Sequence, residues 1–216
     1  MPIKLYGFPP SHATRRAAVI FKELDIPYEL VTVDMLKDEH KAASHLAHQP
    51  FGQVPYIDDD GFVLFESRAI GRYLVAKYAT GEKKRLMPTA ADDLERFALF
   101  EQAASVETGD FDVYMNALSW EVIFKRYSGV LTDEVVVADL VKTLNSKLDA
   151  YDVLLSKHQY LAGDELTLAD LFHLPFGNTL GSMGYDLLTT SSRPNVSRWW
   201  KDISARPAWR TVRERA

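Results

Sequence analysis

The chain has 216 residues, 47% of them hydrophobic and 25% charged, with a net charge of −5. That length can bury one large or two small cores, the composition is ordinary for a globular protein, and the acidic balance argues against a nucleic-acid footprint. There is no cysteine, which excludes disulfides, zinc–thiolate centres and a cysteine nucleophile within the chain. No apolar run reaches 18 residues, so no membrane span is expected. Residues 1–4 lead directly into a strand-like segment without a signal-peptide pattern, so a cytoplasmic chain is the expectation.

Residues 3–6 read as a short strand, broken by Gly7-Phe8-Pro9-Pro10. Ser11 follows as a candidate N-cap. Ala13, Ala17, Ile20, Phe21 and Leu24 recur at helical spacing until Pro27 stops them. Residues 28–33 are rich in β-formers and read as a second strand. A strand–helix–strand unit prefers parallel pairing and a right-handed crossover. Residues 34–52 are polar and irregular and hold His40, His45 and His48. No carboxylate or cysteine is spaced to complete a metal site around them, so they read as loop histidines. Residues 54–57 and 62–65 form a hairpin across Asp58-Asp59-Asp60-Gly61, where glycine can take positive φ. Ser67 then stands at an N-cap position, ahead of apolar Ile70, Tyr73 and Leu74. The hairpin thus delivers the chain to a helix N-terminus, whose free N–H groups suit a carboxylate or phosphate. An ordinary capped surface helix is the other reading of these residues.

Residues 79–90, with Gly81, Glu82-Lys83-Lys84-Arg85 and Pro88, mark a boundary, after which strand signals vanish. Leu94, Phe97, Phe100 and Ala104 step along one helix face. Val137, Leu140, Val141, Leu144, Leu148, Tyr151 and Leu155 do the same further on. Thr167-Leu168-Ala169-Asp170 is a capping box with Asp in place of Glu, flanked by Leu166 and Leu171 as its staple. Pro194-Asn195 opens a last helix carrying Val196, Trp199, Trp200 and Ile203. The Trp199–Trp200 pair predicts one buried ring and one at a rim rather than a ligand platform. Asn195-Val196-Ser197 matches a glycosylation sequon that a cytosolic chain would not use. Arg206, Arg210, Arg213 and Arg215 read as a solvated basic terminus.

Gln-Pro-Phe-Gly-Gln-Val-Pro at 49–55, followed by Phe-Glu-Ser-Arg-Ala-Ile at 65–70, resembles the glutathione-binding core of soluble glutathione transferases. The stretch from Tyr160 to Asp170 is similar to the folding motif of their helical domains, and Pro194-Asn195-Val196 through Arg206-Pro207-Ala208-Trp209 also fits. The resemblance covers essentially the whole chain. It implies an α/β thioredoxin-like N-terminal domain of βαβ-ββα order over 1–80, a linker over 81–89, and an all-α helical-bundle domain over 90–216. It also implies a cis peptide before Pro55.

Ser11-His12-Ala13-Thr14-Arg15-Arg16 resembles the active-site helix start of serine-type members, most of all the phi class of plants and fungi. The resemblance implies that Ser11 donates to the glutathione sulfur; serine's own pKa is too high for it to act as the base. Tyr6 is the competing residue, because other classes use a tyrosine near the first strand. His40 and Lys41 would contact the glycyl carboxylate. Gln53 and Ser67 would hold the γ-glutamyl carboxylate, Glu66 its ammonium, and Val54, ahead of Pro55, would offer backbone groups to the cysteinyl unit. Phe8, Pro9, Tyr114, Met115 and Leu118 would line the second-substrate pocket.

The function implied is transfer of glutathione, the only co-substrate and with no metal, to a hydrophobic electrophile, with reduction of organic hydroperoxides as a further activity. A homodimer is implied, with Phe51 as a candidate interface wedge and with no nucleic-acid or membrane partner. The alternatives are a non-catalytic carrier of glutathione and apolar ligands, and a structural transferase-like domain. Assay with a panel of electrophiles separates the carrier from the enzyme. The intact set Ser11, Gln53, Glu66 and Ser67 speaks against the structural domain. A thiol oxidoreductase would need cysteine where Ser11 stands.

Overall fold

Four strands build one mixed sheet in the order β2-β1-β3-β4 in a computed structural model that describes residues 2–214. The central strand, β1 (Ile3–Gly7), alternates inward, burying Ile3, Leu5 and Gly7. Helix α1 (His12–Glu23) buries Ala17, Val19, Ile20 and Phe21 and returns the chain to β2 (Tyr28–Thr32). β2 pairs in parallel with β1, as a helical crossover requires. The segment 34–52, irregular by its sequence, contains two short 3₁₀ turns, Met35–Lys37 and Glu39–Lys41, and the single-turn helix α2 (Ala43–Leu46).

The first strand of the hairpin lies two residues later than its composition predicts, while the second lies where it was expected. β3 is Tyr56–Asp59 and β4 is Phe62–Phe65, with Tyr56 opposite Phe65 and Asp59 opposite Phe62. Pro55 has no N–H to give a ladder, which excludes it from the strand. The turn is therefore only Asp60-Gly61, at φ 54° and 89°. Two positive φ angles are what a two-residue type I′ hairpin demands. The Val54–Pro55 bond is cis.

Helix α3 (Ser67–Tyr78) buries Ile70, Gly71, Leu74 and Val75 against the rest of this layer. Its N-cap is Glu66, not Ser67. Asp59 at the end of β3 is buried and accepts from Tyr73 Oη (2.6 Å), Lys77 Nζ (2.7 Å) and Tyr78 Oη (2.7 Å), all on α3. A 3₁₀ stretch, Gly81–Leu86, follows.

The chain separates into two units, Met1–Met87 with Arg206–Ala216, and Pro88–Ala205. In the second, α4 (Leu94–Val106), α5 (Val113–Ser119) and α6 (Lys125–Tyr127) run on through π-helical turns at Glu107–Asp112 and Trp120–Phe124. The inward stripe is Phe100, Ala103, Ala104, Phe111, Met115 and Leu118. Leu94, placed on that stripe by its spacing, is 68% exposed instead. α7 (Glu134–Leu155) buries Val137, Leu144, Leu148, Tyr151 and Leu155.

α8 (Leu168–Leu171) begins with the reciprocal Thr167–Asp170 box, α9 (Leu174–Ser182) follows, and α10 (Pro194–Ser204) buries Val196, Trp199 and Ile203. Trp199 is buried and Trp200 half-buried; a Cβ on Gly177 would come within 2.4 Å of the Trp200 ring, so glycine is what lets that ring pack. Asn195, the sequon residue, gives its amide to Asp152 at 3.1 Å. Asp152 also accepts from the backbone of Asn195 (2.8 Å) and Val196 (3.0 Å), capping α10 from α7.

The last helix, α11 (Pro207–Glu214), belongs to the first unit and not to the helical one that 90–216 would make. It buries Trp209 and Val212, and Arg206 just before it donates twice, at 2.7 Å each, to Glu23 at the end of α1. Arg206 is thus an anchor rather than part of a solvated tail. Arg210 and Arg213 are exposed, and Arg215 lies outside the described residues.

Candidate active site

The loop from β1 to α1 is held by local hydrogen bonds that orient Ser11. Ser11 N donates to Phe8 O (2.8 Å), Phe8 N to Thr14 Oγ1 (3.2 Å), and Arg15 Nε to Pro9 O (3.1 Å). Gly7 makes this possible, because a Cβ there would sit 2.5 Å from Thr14 Cγ2. Ser11 is the N-cap of α1, with extended backbone (φ −66°, ψ 129°), and its Oγ accepts from Thr14 N at 3.3 Å. Its oxygen is the acceptor in that bond, so its own O–H remains to donate at the positive end of a 12-residue helix. Tyr6, the rival, lies within β1 with its ring stacked on Tyr56 (4.4 Å between centroids, 8° between planes).

The approach to Pro55 is clamped by Gln49, which opens the 49–55 motif, and by His45, which the sequence reads only as a loop histidine. Buried Gln49 accepts from Gln53 N at 3.1 Å. Buried His45 holds Gln53 O through Nε2 at 2.8 Å, and its ring meets Tyr56 edge-on. The Gln53 side chain is exposed. Val54 is buried, yet neither of its backbone groups has a hydrogen-bond partner among the described residues. Buried amide groups are seldom left so, and an extended ligand backbone beside Val54 would satisfy them.

His40 is buried with Nδ1 lacking a partner, and burial, with Lys41 beside it, lowers its pKa. It is therefore a neutral donor or acceptor rather than a second cation. Lys41 Nζ donates to Gly52 O (2.8 Å) and Phe51 O (3.4 Å). Gly52, at φ 61°, admits this lysine; a Cβ would lie 2.8 Å from Nζ. His45 and His48 bond to different carbonyls, Gln53 O and Ser44 O, the latter at 2.9 Å from Nδ1. No three metal-binding side chains converge among the described residues.

Glu66 is exposed and held at φ 72°, ψ 108°, a region costly for a residue with a Cβ. Ser67 is buried at the first position of α3, and its Oγ accepts from Arg16 Nη1 at 3.1 Å. Arg16, only 3% exposed, is a polar residue of this region absent from the sequence-derived set. A charge inside an otherwise apolar helix face was the available signal.

Of the five pocket candidates, Phe8, Pro9 and Tyr114 are half-buried, and Tyr114 lies under Lys147 (6.0 Å to the ring). Met115 and Leu118 are wholly buried in the stripe described above, so they present no surface to a ligand in this conformation.

Residues 1–76 match the glutathione S-transferase N-terminal domain and residues 114–207 the C-terminal domain. The chain is 44% identical over 200 residues to glutathione S-transferase PM239X14 of Arabidopsis thaliana, covering 92% of this chain and 89% of that one. It is 41% identical to glutathione S-transferase hmp2 of Hypomyces subiculosus, over 97% and 96% of the two chains. The structure superposes on glutathione transferase F7 of Populus trichocarpa with a TM-score of 0.90 at 36% identity, covering 98% of each. It also superposes on glutathione S-transferase I from mais in complex with an atrazine glutathione conjugate, with a TM-score of 0.89 at 34% identity, covering 98% and 96%. With a thioredoxin-like sheet unit, a helical unit and relatives of this kind along nearly its whole length, the chain belongs to the glutathione S-transferase family, phi-like in class, and is a transferase that uses glutathione as co-substrate.

Proposed function

We propose that Ser11 is the residue that makes the glutathione thiol reactive. A free thiol of pKa ~8.5 is only a few per cent ionised at pH 7. Lowering that by ~2 units requires ~2.7 kcal/mol of preference for the anion. A hydroxyl donating to the sulfur, backed by the N-terminus of α1, acts on that scale. The observation that carries this reading is the direction of the Ser11 bond. Its Oγ is already an acceptor from Thr14 N, so the proton is free to point at the thiolate.

In this reading the remaining residues hold the tripeptide in place. Gln53 and Ser67, with the N–H groups of α3, take the γ-glutamyl carboxylate, and Glu66 takes the ammonium. Val54 pairs with the cysteinyl backbone. Lys41 and the neutral His40 ring meet the glycyl carboxylate. The thiolate attacks the electrophilic carbon, a carbon–sulfur bond forms and the leaving group departs with its electron pair. With an organic hydroperoxide it attacks the terminal oxygen instead. The O–O bond then breaks, an alcohol leaves, and a second glutathione reduces the sulfenic acid to glutathione disulfide and water. Phe8 and Pro9, on the loop after β1, are the proposed contacts for the apolar substrate. The setting proposed is the cytoplasm and the assembly a homodimer.

Ser11→Ala tests this. The bound thiol's pKa is expected to rise toward its free value and turnover to fall by ~10²–10³, with glutathione affinity little changed. Thiolate ultraviolet absorbance titrated on the complex reads the midpoint directly. Equal midpoints for wild type and variant would reduce Ser11 to a helix cap, and a shift in Tyr6→Phe instead would move the role to Tyr6.

A further inference from the structure

Arg16 and Ser67 are 51 positions apart, on α1 and α3, and meet inside the first unit through a single bond from guanidinium to hydroxyl. A guanidinium has five donors and no acceptor, so in this bond the Ser67 oxygen accepts. No other partner of the Ser67 side chain exists among the described residues. Its hydroxyl proton is therefore left to donate onward, at the first position of α3. An arginine 3% exposed is uncommon, because burying the charge is costly unless it is held. We infer that Arg16 is a positioning residue that makes Ser67 a one-way donor, so that the α3 subsite selects a carboxylate over an uncharged group of the same shape.

The positive charge sits one hydrogen bond behind the ligand, so a carboxylate gains from it through the polarised O–H while an amide gains much less. This inference rests on the assignment of Ser67 to the γ-glutamyl carboxylate made above. It adds the source of that subsite's charge preference.

Calorimetry with two ligands tests it: glutathione, and its analogue with the γ-glutamyl α-carboxylate converted to the carboxamide. Wild type is expected to bind the carboxamide at least about tenfold more weakly. In Arg16→Gln, glutathione affinity should fall by about that factor and carboxamide affinity hardly at all, so the two converge. Arg16→Lys, which keeps the charge, should restore part of the difference. The thiolate titration midpoint should stay at its wild-type position, which a general loosening of the site would not allow.

Two results overturn the inference: a wild-type protein that binds both ligands equally, or an Arg16→Gln protein with wild-type circular dichroism that still discriminates as wild type does. If Arg16→Gln does not fold, the wild-type ratio and Arg16→Lys decide, and a ratio that vanishes altogether in a folded Arg16→Lys overturns it. Ser67→Ala separates the two levels. Unaltered glutathione binding in that variant removes the assignment of Ser67, whereas weakened binding with discrimination intact in the Arg16 variants removes Arg16 alone.

Discussion

Ser67 shows how one shifted position changes what a substitution costs. As an N-cap its loss would remove a backbone contact, worth ~1 kcal/mol. At the first helical position it instead accepts from a buried guanidinium. Ser67→Ala takes one acceptor away from that buried guanidinium, and losing a hydrogen bond to a charged group costs about 1–3 kcal/mol. Urea unfolding is expected to show a loss in this range, with the slope against denaturant unchanged. A loss of a few tenths would mean that water reaches Arg16. His40 makes a related point. Its place beside Lys41 suits an anion, but the structure buries its ring, and burial favours the neutral form. The identity of the site residues was legible from the motif. Their protonation and hydrogen-bond direction were not, because both depend on what packs around them.

Among the elements, β3 is joined to α3 by Asp59 and α8 to its surroundings by Asp170. Burial alone would raise the Asp59 pKa, but Lys77, Tyr73 and Tyr78 all donate to it and hold it below the ordinary carboxylate value. A depressed folded-state pKa contributes stability that is present above the unfolded-state value and lost as pH falls through the folded one. Asp59→Asn is therefore expected to be less stable than wild type at neutral pH. The difference should shrink as pH falls through and below the usual carboxylate range. Thermal melts across that range check it, and a difference independent of pH would show that charge is not what matters.

Asp170 is fully buried and accepts from Leu161 N (3.0 Å), Thr167 N (2.9 Å), Thr167 Oγ1 (3.0 Å) and Trp199 Nε1 (3.0 Å). Burial pushes its pKa up against the pull of those donors. Asp170→Ala leaves several buried donors unpaired at about 1–3 kcal/mol each, which approaches the whole stability of a typical domain. The variant is expected to lose cooperative unfolding, read by Trp fluorescence and near-ultraviolet circular dichroism. The Thr167–Asp170 box was legible from spacing, but the bonds from Leu161 and Trp199 were not.

At the scale of the whole molecule the open matter is assembly. Phe51 is 66% exposed, resting edge-on against Phe65 at 6.0 Å, and Phe62, Leu94 and Leu99 are exposed as well. Single exposed apolar residues are ordinary, but an aromatic ring standing out of a polar loop is the kind of group that anchors an interface. The expected state is a two-fold homodimer, each subunit's N-terminal unit facing the other's helical unit. Sedimentation at micromolar concentration should show the dimer, and Phe51→Ala should shift it toward monomer. A wild-type monomer at that concentration would remove the proposal. No helix among the described residues is long and apolar enough to cross a membrane.

The residues alone determined whatever is decided over a few neighbouring positions. Ser11 caps α1, Gly61 turns the hairpin at positive φ, Thr167 and Asp170 cap each other, and the spacing of Val137, Leu144, Leu148 and Tyr151 sets the inward face of α7. Periodicity and capping act within one or two turns, so they can be read without knowing the fold. Only the tertiary structure decided which distant polar groups met. Arg16 reaches Ser67 across 51 positions, Asp152 caps α10 from 43 positions away, and Arg206 ties α11 to Glu23 across 183. Such bonds leave no periodic trace in the chain. A buried donor accepts whatever partner the packing brings within about 3 Å, and that choice is made when the elements come together.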